Sequence, residues 1–156
     1  MSEIKVIQGE FFRDHRGVLT SLNNFHMEEV KRIYFIHHPD EAVVRGWHGH
    51  QDEKKWFYCV KGKFSLACVK IDNWENPSPD LVPEIFHLTE DNSRLVCVPK
   101  GYANCLKAWE PDSVMMVFSE KILEVALLDS WRYDKALWVD WEKEKPESGD
   151  NNSPSC

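Results

Sequence analysis

No apolar segment of this 156-residue sequence approaches the roughly 18 residues that a membrane-spanning helix requires. The N-terminus also lacks the apolar core of a secretory signal peptide. Five cysteines are present, yet no two of them form a C-x-x-C pair, and four lie inside apolar segments. These absences predict a cytoplasmic protein with buried, reduced thiols and no membrane partner.

Positive charge is also scarce. The sequence has 19 Lys and Arg against 26 Asp and Glu, a net charge of −7. A nucleic-acid-binding surface needs a basic face, so we expect no nucleic-acid partner. The negative balance does not exclude a small phosphorylated ligand, which a few local cations suffice to bind.

Hydrophobic residues, in contrast, are plentiful. They make up 42% of the sequence, which includes seven Trp and eight Phe. A chain of this length and composition predicts one folded domain, which we place at residues 1–142. Residues 143–156 are charged and then rich in Gly, Asn, Ser and Pro, which predicts a flexible polar tail.

Short apolar segments alternate with turn residues along most of the chain. Turn signals at intervals of about 8 to 12 residues are typical of all-β sandwiches and barrels. We therefore predict an all-β jelly roll with a minor helix. The predicted strands cover residues 4–7, 18–22, 31–36, 56–60, 64–71, 84–88, 94–98, 103–108 and 113–119. A short helical turn is predicted at 25–30, and the pattern at 122–128 fits either a helix or a strand.

The most distinctive pattern lies in residues 43–62, VVRGWHGHQDEKKWFYCVKG. His48 and His50 are two residues apart, so on a strand both side chains point to the same face. Lys55 follows five residues after His50, and Gly62 seven residues after Lys55. Together with PKGYAN at residues 99–104, this spacing resembles the two sequence motifs of the cupin barrel.

Two positions depart from those motifs. Lys55 stands where the family has a glutamate, and Asn104 where it has a histidine. A divalent cation prefers neutral imidazoles and anionic oxygens, whereas an ammonium repels it. We therefore expect no metal and no other cofactor. The alternative is a metal-dependent cupin enzyme, which needs a carboxylate such as Glu53 to complete the ligands.

Within the cupins, the chain from Asp14 to Trp141 resembles the RmlC-like family, which modifies nucleotide-linked 4-keto-6-deoxyhexoses. Its 3,5-epimerase branch carries a D-x-R-G turn and an R-G-x-H strand, similar to residues 14–17 and 45–48. That branch also has an active-site tyrosine in a late strand, which corresponds here to Met115 or Met116. Neither methionine can donate a proton, so the resemblance leaves the general acid open.

The 3,4-ketoisomerase branch of the same family is similar to other segments. It carries K-R-x-Y-x-I and R-G-F-H-A-H, which resemble residues 31–36 and 45–50, and a late apolar segment similar to residues 113–119. The resemblance implies a single-domain RmlC-like cupin, a double-stranded β-helix that forms homodimers. It implies a nucleotide-sugar substrate, with dTDP as the nucleotide, and a role in deoxysugar or surface-polysaccharide biosynthesis.

Both reactions begin with removal of a proton from the carbon next to a ketone. Histidine has a free pKa near neutrality, so His48 is the candidate base. Lys55 is a candidate to stabilise the enolate oxygen or to bind the diphosphate. A ketoisomerase moves the proton on one face of the sugar, for which His48 and His50 together suffice. The sequence favours this same-face chemistry without excluding 3- or 5-epimerisation.

Substrate-binding residues follow from the same motifs. Arg16 and Arg45 are candidates for the diphosphate, because a guanidinium matches phosphate oxygens in a fork. Tyr34 and Trp47 are candidates to contact the nucleobase. Asn104 is a further candidate for substrate binding, because it stands at the position of the motif histidine.

A second class of function stays open. A cupin that lacks both acid candidates can also be a non-catalytic nucleotide-sugar-binding module. The adjacent His37 and His38 point to opposite faces of a strand, which argues against a metal pair and predicts a surface position.

Overall fold

The computed structural model describes residues 3–146. Within them the chain forms twelve strands and one short helix. The strands are β1 (Lys5–Gln8), β2 (Glu10–Asp14), β3 (Gly17–Ser21), β4 (Arg32–His38), β5 (Val44–His50), β6 (Lys55–Lys61), β7 (Lys63–Lys70), β8 (Glu84–Thr89), β9 (Arg94–Val98), β10 (Tyr102–Ala108), β11 (Ser113–Ser119) and β12 (Trp131–Arg132). Helix α1 spans Leu123–Leu127. No helix in this part of the chain is long and apolar enough to cross a membrane.

Two five-stranded antiparallel sheets make up the body of the protein. The first has the order β1-β9-β6-β11-β4, the second has the order β12-β5-β10-β7-β8, and β2 and β3 form a separate hairpin. Most neighbours in these sheets are distant in sequence, as in a jelly roll. The predicted all-β fold is therefore confirmed.

The main hydrophobic core lies between the two sheets, where Phe57 and Val117 of the first meet Leu66 and Leu106 of the second. Strand β11 is buried on both faces, because alternate residues join two different clusters. Met115 belongs to the core between the sheets, whereas Phe118 packs with Trp56 on the outer side. Burial of both faces explains why the apolar residues of β11 follow one another without interruption.

Two tryptophans attach the segment after α1 to the outer face of the second sheet. Trp47 Nε1 donates a hydrogen bond to the Leu137 carbonyl at 2.8 Å, and its ring lies 4.9 Å from that of Trp138. Trp138 Nε1 in turn donates to the Ser78 carbonyl at 2.7 Å, in the loop between β7 and β8. This packing holds the chain that follows α1 against β5.

The structure differs from the predicted elements in three places. Strands β2 and β12 were not predicted, and residues 25–30 contain hydrogen-bonded turns rather than a helix. Phe25 packs against Trp56 and Phe118 instead, a tertiary contact that a short sequence window does not contain. The ambiguous segment 122–128 contains α1. The flexible tail was predicted for residues 143–156. Its residues from 147 onward lie outside the described part of the chain.

Candidate active site

A cavity of about 300 Å³ opens between the two sheets, under α1 and the segment that leads to β12. Six of the eight residues predicted for the site line this cavity: Tyr34, Arg45, His48, His50, Lys55 and Asn104. The histidine pair shares one face of β5, as predicted.

A β-bulge in β5 turns Arg45 into the cavity. Asn104 of β10 lies opposite His48, and Leu106 lies opposite Arg45, so two steps along β10 match three along β5. Strict alternation puts residues three apart on opposite faces, and the extra residue of the bulge restores them to the same face. The bulge therefore adds a guanidinium to the wall that carries the histidines.

Two predicted site residues lie elsewhere. Trp47 is 1% exposed and packs under the C-terminal segment, so it does not contact the cavity of its own chain. Arg16 is exposed in the β2–β3 turn, where its Nη2 lies 2.6 Å from Asp14 Oδ2. That ion pair stabilises the turn, and Arg16 does not line the cavity within one chain.

The methionines at the epimerase tyrosine position also lie outside the cavity lining. Met115 is fully buried in the core beneath it, and Met116 packs in the cluster on the outer face. The phenol that does line the cavity is that of Tyr34, on β4 of the first sheet. Lys55 Nζ lies 5.6 Å from its ring centroid.

His48 is held as a neutral imidazole at the cavity wall. Its Nε2 lies 2.8 Å from Ser130 Oγ, and its ring centroid lies 4.4 Å from that of His50. Burial, the neighbouring His50 and the charges of Lys55 and Arg132 lower the pKa of His48 to about 3, and Glu53 only partly opposes them. A neutral imidazole can accept a proton, which is the state that a general base requires.

His50 is held from behind by the chain that follows α1. Its Nδ1 lies 2.6 Å from the Asp129 carbonyl and 2.9 Å from Glu53 Oε2. The Asp129 carboxylate accepts the backbone N–H groups of Gln51 and Asp52, at 2.9 and 2.8 Å. Asp129 therefore binds the end of β5 to the segment before β12 and is not available as an acid in the cavity.

Glu53 is a buried carboxylate at the back of the site. Its Oε1 accepts hydrogen bonds from Ser119 Oγ and from Arg32 Nη2, the latter at 3.3 Å, and its Oε2 lies 3.9 Å from Lys55 Nζ. Burial alone raises the pKa of this carboxyl, but the contact with His50, the charge of Lys55 and the Ser119 hydroxyl outweigh it and hold the pKa at about 2. Glu53 is therefore ionised at neutral pH.

Four cations line the cavity: Arg32, Arg45, Lys55 and Arg132. No Asp or Glu is among its lining residues in the described part of the chain. Sequence reasoning missed Arg132, which β12 places beside the histidines by pairing opposite His48. This local excess of positive charge suits an anionic ligand despite the net charge of the chain.

The remaining wall of the cavity is apolar. Ile36, Phe57 and Leu106 contribute from the two sheets, and Leu123, Ala126 and Leu127 contribute from α1. Within residues 3–146, no group of three or more His, Cys, Asp or Glu residues has the arrangement of a metal site. The cavity therefore combines a neutral histidine, several cations and an apolar surface.

Comparison with known proteins gives one family. The model of the family described as "FdtA: WxcM-like, C-terminal" matches residues 2–126. A search of curated proteins finds no match.

Solved structures of similar fold come from nucleotide-sugar enzymes. The rmlC epimerase of Mycobacterium tuberculosis gives a TM-score of 0.72 at 21% identity, over 88% of this chain and 74% of that one. The QdtA 3,4-ketoisomerase of Thermoanaerobacterium thermosaccharolyticum, in complex with TDP, gives 0.65 at 21% identity, over 83% and 88%. The WlaRB TDP-quinovose 3,4-ketoisomerase of Campylobacter jejuni gives 0.61 at 19% identity, over 92% and 97%. These similarities confirm the predicted RmlC-like cupin fold.

Proposed function

This chain belongs to the FdtA family, described as WxcM-like, C-terminal, and on that premise we propose that it is a metal-independent isomerase of a nucleotide-diphosphate 4-keto-6-deoxyhexose. The observation that carries the proposal is the cavity itself, in which the neutral His48 and its neighbour His50 face four cations. QdtA was solved with TDP and WlaRB is named for TDP-quinovose, which supports dTDP as the nucleotide.

The cations of the cavity bind the anionic sugar nucleotide, and the bound nucleotide in turn makes His48 a stronger base. Arg45 and Arg132 flank the histidines and offer forked donors to a diphosphate. The negative charge of the bound diphosphate raises the pKa of His48, because it offsets the cations that lower it in the empty cavity. Ligand binding therefore strengthens the base at the moment when it is needed.

The reaction begins when His48 takes the proton from the carbon next to the ketone. The electron pair of that C–H bond remains on the sugar as an enolate, and the Lys55 ammonium stabilises its oxygen. Return of the proton to the neighbouring carbon, with transfer of a second proton between the two oxygens, moves the ketone from C4 to C3. His48 and His50 lie on one wall, which supports this same-face reaction.

Epimerisation at C3 or C5 is the second candidate, and one observation favours it. An epimerase must return a proton from the opposite face, and Tyr34 presents a phenol from the first sheet while the histidines lie on the second. The same active site would then use His48 as base and Tyr34 as acid.

Proton NMR in deuterated water distinguishes the two reactions, with dTDP-4-keto-6-deoxyglucose as substrate. We expect the ketone to move to C3, with one deuterium incorporated. Deuterium at C3 or C5 with the 4-ketone retained would instead identify an epimerase. Ligand signals that broaden on binding while the sugar stays unlabelled would identify a non-catalytic binding module. Activity that depends on added divalent metal would overturn the metal-independent mechanism.

We further propose that the protein acts in the cytoplasm, in deoxysugar or surface-polysaccharide biosynthesis. Four cysteines of the described chain are free, and three of them, Cys59, Cys68 and Cys105, are buried, which suits a reducing compartment.

We also propose a homodimer, which the exposed apolar side chains support. Phe12 and Leu19 of the isolated β2–β3 hairpin are 58% and 60% exposed, and Phe35 on the edge strand β4 is 52% exposed. A two-stranded hairpin is only marginally stable in water, so a covering surface stabilises it.

Light scattering after size-exclusion chromatography tests the homodimer. The wild-type protein is expected to elute as a dimer, and Phe12→Glu is expected to weaken dimerisation at least about 10-fold, because it buries a charge. Val82→Glu, at an 86% exposed apolar position in the β7–β8 loop, is the matched control and should remain dimeric. A wild-type monomer at micromolar concentration contradicts the proposal.

A further inference from the structure

Glu53 lies buried behind the histidine pair and has no part in the proposed reaction. Its side chain is 1% exposed, and its carboxylate contacts groups from three parts of the fold: Arg32 of β4, Lys55 of β6 and Ser119 of β11. Burying a charge without such partners is unfavourable, and these contacts compensate the Glu53 charge at this position.

The oxygens beside Nδ1, one of them from Glu53, determine the tautomer of the His50 imidazole. Nδ1 of His50 lies within reach of two oxygens, the Asp129 carbonyl and the ionised Glu53 carboxylate, and neither oxygen carries a proton. Nδ1 must therefore hold the proton of the neutral ring. The lone pair is left on Nε2, which is buried and has no hydrogen-bond partner in the described part of the chain.

His50 lines the cavity with only 4% of its surface exposed, and it contacts His48. Its ring lies 4.4 Å from that of His48, so the order from the cavity inward is His48, His50 and Glu53. When His48 accepts a proton, a positive charge appears next to Lys55 and Arg132, which already disfavour it. The Glu53 carboxylate opposes this cost.

We propose that Glu53 is the positioning residue of the histidine pair: it holds His50 in the Nδ1–H form and offsets the charge that His48 acquires. The inference rests on the proposed function, since it assigns Glu53 a part in the same proton transfer. Glu53 itself exchanges no proton. The proton moves from the sugar carbon to His48, and the electron pair stays on the enolate.

Every element packed around the pair contributes to its electrostatics. Lys55 comes from β6, Arg32 from β4 and Arg132 from β12, and the Asp129 carboxylate is occupied by two backbone N–H groups. With Arg45 of β5, four cations therefore stand against the Glu53 carboxylate, so removal of its charge leaves the site strongly biased against a protonated His48.

The variant Glu53→Gln tests this role, because glutamine retains the shape and removes the charge. We expect kcat to fall about 10- to 100-fold with KM within about 2-fold of wild type, since Glu53 does not line the cavity. Glu120→Gln is the matched control. Glu120 accepts the Lys54 backbone N–H at the neighbouring turn and does not contact the histidines, so both parameters should stay unchanged. Equal kinetics of the two variants, or a rise of KM that matches the loss of kcat, overturns the proposal.

Two NMR measurements decide the proposal even if the sugar is not turned over. Long-range proton–nitrogen spectra of the wild-type protein should show His50 as the Nδ1–H tautomer, with His50→Gln identifying its signals. With dTDP bound, His48 should titrate at lower pH in Glu53→Gln than in wild type. An Nε2–H tautomer, or an unchanged titration, removes the positioning role. Absence of turnover in a protein that passes both measurements counts against the proposed function alone.

Discussion

Replacing His48 with asparagine is expected to slow deuterium incorporation into the sugar about 100- to 10,000-fold, the range that a positioned general base contributes. Asparagine preserves a polar group near Ser130 but cannot take a proton at neutral pH. The cations that bind the diphosphate remain in place, so kcat should fall while the affinity for dTDP stays within about 3-fold of wild type. Initial rates by proton NMR and titration calorimetry with dTDP measure the two quantities.

His37→Asn is the matched control for this experiment. His37 neighbours His38 on β4 but lies exposed on the outer face, away from the cavity. Its rate should equal that of the wild-type protein. If His48→Asn retains a rate within about 3-fold of wild type, His48 is not the base, and His50 or Tyr34 becomes the candidate.

The free energy of unfolding is expected to fall by about 1 to 3 kcal/mol between pH 7.5 and pH 5. Two histidines carry this dependence. The pKa of His48 is lowered to about 3, and burial together with the charges of Arg45 and Lys107 also lowers the pKa of His38. In the unfolded chain both titrate near the usual histidine value of about 6.5. The unfolded state therefore gains protons as the pH falls through that value, and the folded state does not.

Carboxylates act in a lower pH window. Glu53 has a pKa of about 2 in the folded protein, so its stabilising contribution is present above the ordinary glutamate value and is lost as the pH falls toward 2. Urea denaturation at half-unit intervals from pH 7.5 to 5 therefore isolates the histidines. His48→Asn should flatten the dependence, and the control His37→Asn should leave it unchanged. A slope of opposite sign would falsify the assignment of neutral buried histidines.

His38 shows what the alternation within one strand can predict and what it cannot. Alternation correctly predicts that His37 and His38 lie on opposite faces, and it predicts a surface position for the pair. The structure exposes His37 and buries His38, whose ring packs edge-on at 5.3 Å from Phe64. Which face of a strand is covered depends on the sheet packed against it, and that information does not lie in the strand.

Much of the fold follows from short-range signals. Strands β9 and β11 begin and end where the pattern predicts, at residues 94–98 and 113–119. The turn between β6 and β7 centres on Gly62, whose φ of 81° favours glycine. Strand β2 was not predicted from the sequence, and the structure pairs it along its whole length with β3.

Part of the candidate site was also predictable from short-range signals. The H-x-H spacing by itself determined that His48 and His50 share a face, because the side-chain period of a strand is two residues. The motifs around it determined the cupin frame. Both depend on residues close together in sequence, which is why they were predictable.

Tertiary structure alone decided the chemistry around those histidines. The bulge opposite β10 turned Arg45 inward, and the pairing of β12 with β5 brought in Arg132. Asp129, which contacts His50, follows it by 79 residues along the chain. Burial lowered the pKa of His48 and made Glu53 an internal charge. Each of these effects arises from contacts between distant segments, whereas a sequence pattern reports only the periodicity of its own strand.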